Sequence, residues 1–228
     1  MLYSIIWKPR PPSKGSVCLF LGFTIDYEIE TMMARNNAEI HERSPLSNAR
    51  LGVLVLLGAE TMLFSGLIGT FLVFRVGNVT WPPLSHIGIE LPRVVTGINT
   101  ALLLLSGYTM FQARRAIQKG HLKQLRSWLL ITGVLGLLFL GVQGSEWVQL
   151  IRNGLTLQSG VYGGIFYVLI GCHAVHVLTA VIWLFIVFGM AMAGRFSTDR
   201  YVGVDTCTIY WIYVVALWPI LYILVYLF

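Results

Sequence analysis

Charge is scarce in this chain. Only 11% of its 228 residues are Asp, Glu, Lys or Arg, against roughly 25% in an ordinary soluble domain. That deficit excludes a water-solvated surface of the usual make-up. Cysteine is scarcer still. Cys18, Cys172 and Cys207 stand alone, with no CxxC spacing, so neither a disulfide framework nor a cysteine zinc site is expected. There is no phosphate-binding glycine loop, no nucleophile elbow and no Cys-His cluster. Nothing therefore resembles a self-sufficient active site. A cleavable leader is not expected either. The apolar run at 17–25 leads into Asp26, Glu28 and Glu30 rather than a small-residue cleavage site, and it is too short to span a bilayer.

What the chain does have is apolar length. Hydrophobic residues make up 56% of it, gathered in blocks at 51–74, 94–111, 128–145, 161–194 and 206–228. A span needs about 20 residues, and in lipid only a helix satisfies the backbone of an isolated segment. The expected fold class is an all-α membrane protein with five transmembrane helices. Residues 1–49, which include Pro9, Pro11 and Pro12, form a polar and mostly exposed tail, and residues 50–228 form the membrane domain.

The basic residues fix an expected orientation. The net charge is +6, but the positive side chains sit between apolar blocks, which speaks for topology and not for nucleic acid. All of them except Arg75, Arg93 and Arg152 fall in the tail, between spans two and three, or between spans four and five. The positive-inside rule then puts the N-terminus in the cytoplasm. Pro92 suits the start of the second span. Trp81, Pro82 and Pro83 suggest a stiff outer loop, and Pro219 should kink or loosen the last turns of span five. Small residues at helical spacing are expected at close helix contacts: Ser65 with Gly69, Gly133 with Gly136, Gly171 with Ala174.

A few polar residues inside the spans are candidates for a role. Glu60 lies near mid-depth of span one, where a carboxylate costs about 2.5–3.5 kcal/mol. It is either a neutral acid joining two helices or part of a proton or ion pathway. His173 and His176, at i and i+3 in span four, share a face. Two imidazoles without a third ligand make a poor closed metal site, so interhelical hydrogen bonding is expected and metal or haem is not. Glu146, beside Trp147 at the outer end of span three, reads as a solvated cap or as a partner for a histidine or a lipid amine. Gln143 and Gln149 are similar.

Several stretches resemble subunit III of cytochrome c oxidase and related haem-copper oxidases. They are the buried-acid segment from Ala59 to Gly66, Trp81-Pro82-Pro83, Asn99-Thr100 with Ser106-Gly107, Gln143 to Trp147, and the run from Gly160 through Tyr162, Phe166, Tyr167 and Gly171 to His173, His176 and Val177. Tyr210, Trp211 and Trp218 follow in the last span. The matches keep the family's order and spacing over residues 50–228. Where the family carries His and Asp in its last-helix motif, this chain has Ile212 and Val215. Where it carries histidines after the second-span motif, this chain has Arg114 and Arg115. These differences suggest a divergent five-helix bacterial branch.

The resemblance implies a V-shaped two-bundle arrangement, with a lipid-binding cleft between spans one and two and the other three. It implies a non-catalytic subunit with no cofactor of its own, in a bacterial plasma membrane. Haem and copper would belong to the catalytic subunit I and to subunit II. Phospholipid would be bound, and the chain would support proton uptake and durability of the oxidase. Glu60 would be the buried acid, with His173, His176 and Glu146 as interior polar groups. The equivalent subunit of a nitric oxide reductase complex is a close alternative. From other classes come a proton channel or transporter, opposed by the single mid-span acid and the lack of an inverted repeat, and a haem-binding membrane anchor.

Overall fold

The computed structural model describes residue 32 and residues 48–78, 93–198 and 200–227. Apart from residues 32, 48 and 49, the expected tail lies outside these, as do the Trp81–Pro83 loop and Pro92. Each apolar block becomes a helix: α1 (Asn48–Gly77), α2 (Arg93–Gln118), α3 (Leu122–Arg152), α4 (Val161–Met192) and α5 (Val202–Tyr222), the last extended by a π-helical turn at Ile223–Leu227. All five are long and apolar enough to cross a membrane. At about 1.5 Å per residue each exceeds a hydrocarbon core of about 30 Å, so the helices tilt or project beyond it.

The helices outrun the apolar blocks. The basic stretch expected as a loop between spans two and three is mostly helical. Arg114 and Arg115 ride the last turns of α2, and Lys123 and Arg126 the first turns of α3. Lys and Arg are good helix formers whose long stems let the charge reach water. The turn between the two helices is closed by Gly120 at φ +74°. There the Gly120 N–H donates to Ile117 and the His121 N–H to Ala116, a left-handed glycine stop. Gly154 and Gly194 end α3 and α4 in the same way.

Helix α2 packs on α3 and α5, α3 on α4, and α4 on α5, which closes a ring of four helices. Helix α1 lies outside the ring against α4 and α5. The second span therefore belongs with the third and fifth, and the expected division of spans one and two from the rest does not describe these helices. The reason is visible in α2, whose Thr96, Asn99, Thr100, Ser106 and Thr109 are all buried in the ring. Helix α1 buries only Val53, Glu60, Phe64 and Phe71, and its remaining apolar faces are exposed, as a lipid-facing helix requires.

Small residues divide by neighbourhood. A Cβ on Gly136 would stand 2.6 Å from the Trp211 ring and 3.0 Å from Val181, and one on Gly133 would stand 3.0 Å from Phe185. These are close approaches of α3 to its neighbours. Among the described residues Gly69 meets nothing within 4 Å and Gly171 meets only Trp147 at 3.8 Å, so the close contact expected at those two is not made there. Pro219 leaves α5 unbroken as far as Tyr222, beyond which the helix widens into the π-helical turn. The final turns are loosened, as a missing N–H one turn earlier favours.

Candidate functional site

Glu60 lies 12 residues past the start of α1, about 18 Å along the helix axis. It is buried at 9% exposure. The Tyr210 hydroxyl of α5 donates to its Oε1 at 3.2 Å, and His176 Nε2 of α4 stands 3.7 Å from the same oxygen. One acid thus joins α1 to both helices on which it packs. His176 Nδ1 is 2.7 Å from the carbonyl oxygen of Cys172. A carbonyl only accepts, so Nδ1 carries a hydrogen and the ring offers Nε2 to the acid. At 3.7 Å the imidazole and the carboxyl face each other within ion-pair range but beyond hydrogen-bond distance. The Phe64 ring meets His176 edge-on at 5.1 Å. Leu56, Val175, Thr179 and Trp183 complete a cleft of about 340 Å³ beside the group.

His173, one turn away, does not join this cluster by hydrogen bond. It is 1% exposed, stacked on Trp218 at 4.9 Å and met by Phe64 and Phe139 at 6.4 Å each. Trp218 itself donates to Thr100 at 2.9 Å. Aromatic packing, and not the interhelical hydrogen bond expected from the sequence, holds the ring among the described residues.

Glu146 is also buried, at 3% exposure. It is neither a solvated cap nor a partner of either histidine. Thr96 of α2 donates to its carboxylate at 3.0 Å, and Gln143 Nε2 at 3.1 Å. The same Gln143 amide donates to the Tyr226 hydroxyl at 3.2 Å. The packing of α2 through Thr96 and of Gln143 against it buries this acid, so that depth along the helix did not bring exposure.

A third polar group was not foreseen. Asp205, in the first turn of α5, is buried. Its Oδ2 lies 2.5 Å from Arg50 Nε of α1 and its Oδ1 2.6 Å from Arg114 Nε of α2. Asp205 precedes the apolar block, where an acid reads as ordinary N-terminal helix chemistry. Arg50 and Arg114 read as topology markers. The signal available was that few acids flank the spans.

Among the described residues no three His, Cys, Asp or Glu side chains converge as a metal ion would need. The polar groups are positioned to hold helices together.

Comparison with known proteins follows this geometry. The family profile of cytochrome c oxidase subunit III matches residues 17–228. The chain is 33% identical to cytochrome c oxidase subunit 3 of Thermostichus vulcanus over 178 residues, which cover 78% of this chain and 86% of that one. It is 32% identical to the Synechocystis protein of the same name over 77% of this chain and 74% of the relative. It is 30% identical to the Hippopotamus amphibius protein over 78% and 68% respectively.

Proposed function

Since this chain belongs to the cytochrome c oxidase subunit III family, a multi-pass membrane family, we propose that it is the non-catalytic third subunit of a haem-copper terminal oxidase in a bacterial plasma membrane. The match over residues 17–228 carries this reading. The bacterial relatives support the membrane assigned. Haem, copper and the oxygen chemistry belong to subunits I and II, against which this chain packs. The ends at which α1, α3 and α5 begin and α2 and α4 finish hold Arg50, Arg114, Arg115, Lys123 and Arg126, which favours that side as cytoplasmic.

Stabilisation of the catalytic subunit is the first part of the role. It is supported by the wide exposed apolar faces of α1, α2 and α4, of which only some can face lipid in a complex. Lipid binding is the second. Two apolar grooves flank α1, one of about 140 Å³ against α4 beside Leu67 and Val168, the other of about 260 Å³ against α5 beside Ile68 and Leu217. Both suit acyl chains. Support of proton uptake is the third, and what supports it is the buried Glu60 carboxyl facing the His176 imidazole at 3.7 Å.

The test is gentle affinity purification from the native membrane with a reduced-minus-oxidised optical spectrum. Haem-bearing partners should co-purify and give the spectrum of an oxidase. A chain that emerges alone and colourless overturns the assignment, and proton flux in liposomes would then be measured.

A further inference from the structure

Three buried side chains in the ring of α2 to α5 have polar atoms that bond to nothing else among the described residues. They are both ring nitrogens of His173, Oδ1 of Asn99 and Oε1 of Gln143. Their orientations are not arbitrary. Asn99 Nδ2 donates to the Phe139 carbonyl at 3.2 Å, and Gln143 Nε2 donates to Glu146 and Tyr226. Each amide nitrogen is therefore committed to an acceptor, and each amide oxygen is what remains. The groups share neighbours. His173 packs against the rings of Phe139 and Trp218, Asn99 is anchored on the Phe139 carbonyl, and Trp218 bonds Thr100, the residue after Asn99. Gln143 lies one turn from Phe139 along α3.

Such groups are rarely left bare. Buried polar atoms almost always have a protein or water partner, and an unpaired one costs about 1–3 kcal/mol. A neutral imidazole offers one N–H and one lone pair, while the amides offer only acceptors. A ligand that accepts from the imidazole N–H and also donates to an amide oxygen satisfies both. We propose that the interior of the ring is a water-binding site, where ordered water accepts from His173 and donates to the side-chain oxygens of Asn99 and Gln143. The polar interior then runs continuously from His173 through Gln143 to Glu146 and Thr96. His173 becomes a joint between α4 and the α2–α3 pair, although no direct bond links them.

The experiment uses the assembled complex. A map at a resolution that shows internal water should contain a peak about 2.7–3.2 Å from a His173 ring nitrogen and within reach of Asn99 or Gln143. In His173→Phe the peak should be lost. Thermal unfolding of the complex with His173→Phe, Asn99→Leu and the double variant should be non-additive, the double shifting the midpoint by less than the sum of the singles. The proposal is overturned if the wild-type map shows other internal waters but none here, or if His173 bonds a protein group directly. Additive midpoint shifts would count equally against it. The wild-type map decides the matter even if a variant fails to assemble.

Discussion

Arg114 near the end of α2 sets its Nε 2.6 Å from Oδ1 of Asp205 in the first turn of α5. Arg50 of α1 takes the other oxygen of the same carboxylate, so one buried acid ties the outlying α1 and the ring helix α2 to α5. Loss of the acid would leave two guanidiniums facing each other. Breaking a buried pair costs about 3–5 kcal/mol. The arginines here are 29% and 34% exposed and can rehydrate, so Asp205→Ala should lie at the lower end, about 3 kcal/mol. The measurement is thermal unfolding of the purified complex. An unchanged midpoint would show that Asp205 does not clamp α1. Removing one partly solvated partner by Arg114→Ala should cost less than removing the acid.

The number and rough extent of the helices were legible in the sequence because five charge-poor blocks are each close to or beyond the length of a span. Helix ends were less so, since Arg114, Arg115, Lys123 and Arg126 continue helices that apolarity alone would stop. The importance of Glu60 was legible because a lone mid-span acid is costly. Its partner Tyr210 was not, being 150 residues away; only the packing of α1 against α5 brings them together. Glu146 misled because depth along a helix does not reveal burial by neighbours. His173 and His176 share a helix face by spacing, yet one meets an acid and the other an indole. That difference depends on which side chains the adjacent helices present.

Gly136 should be the most sensitive glycine of α3. A Cβ there would come within 2.6 Å of Trp211, a buried ring with no room to retreat. Gly136→Ala should destabilise the complex by about 1–3 kcal/mol through overpacking. Gly144→Ala is the control. Its Cβ meets nothing within 4 Å, and helix propensity alone favours Ala by about 0.8–1.0 kcal/mol in water. Unfolding midpoints of the two variants should move in opposite directions. Equal shifts would mean that α3 does not pack on Trp211 as described.

Glu146 holds two buried donors, the Thr96 hydroxyl and the Gln143 amide. In Glu146→Ala the Thr96 hydroxyl loses this acceptor and the Gln143 amide keeps only Tyr226, at about 1–3 kcal/mol for each donor hydrogen left unpaired. In Glu146→Gln one amide oxygen still accepts. The Ala variant should therefore unfold at clearly lower temperature than the Gln variant. Similar midpoints would place the carboxylate in water, as its position near the end of α3 first suggested.

Glu60 allows stability and proton handling to be separated. In Glu60→Gln the amide oxygen can still accept from Tyr210, so the complex should assemble at normal yield and unfold within about 1 kcal/mol of the parent, the scale of one hydrogen bond. The variant nevertheless cannot take up or release a proton at this position, because an amide does not titrate. If that proton serves the oxidase, Glu60→Gln should slow proton uptake during turnover while its haem spectrum stays unchanged. Tyr210→Phe keeps the acid and removes only a hydrogen bond, so it should cost about 0.5–1.5 kcal/mol and leave uptake near the parent rate. Uptake equal in all three proteins would reduce Glu60 to a structural acid. Glu60→Lys tests the burial itself. An ammonium at this depth costs about 2.5–3.5 kcal/mol on insertion, and beside His176 it has no carboxylate to meet, so assembly should fail. Normal yield of the Lys variant would show that the position faces water, and the proton-uptake role of Glu60 would fall with the burial on which it depends.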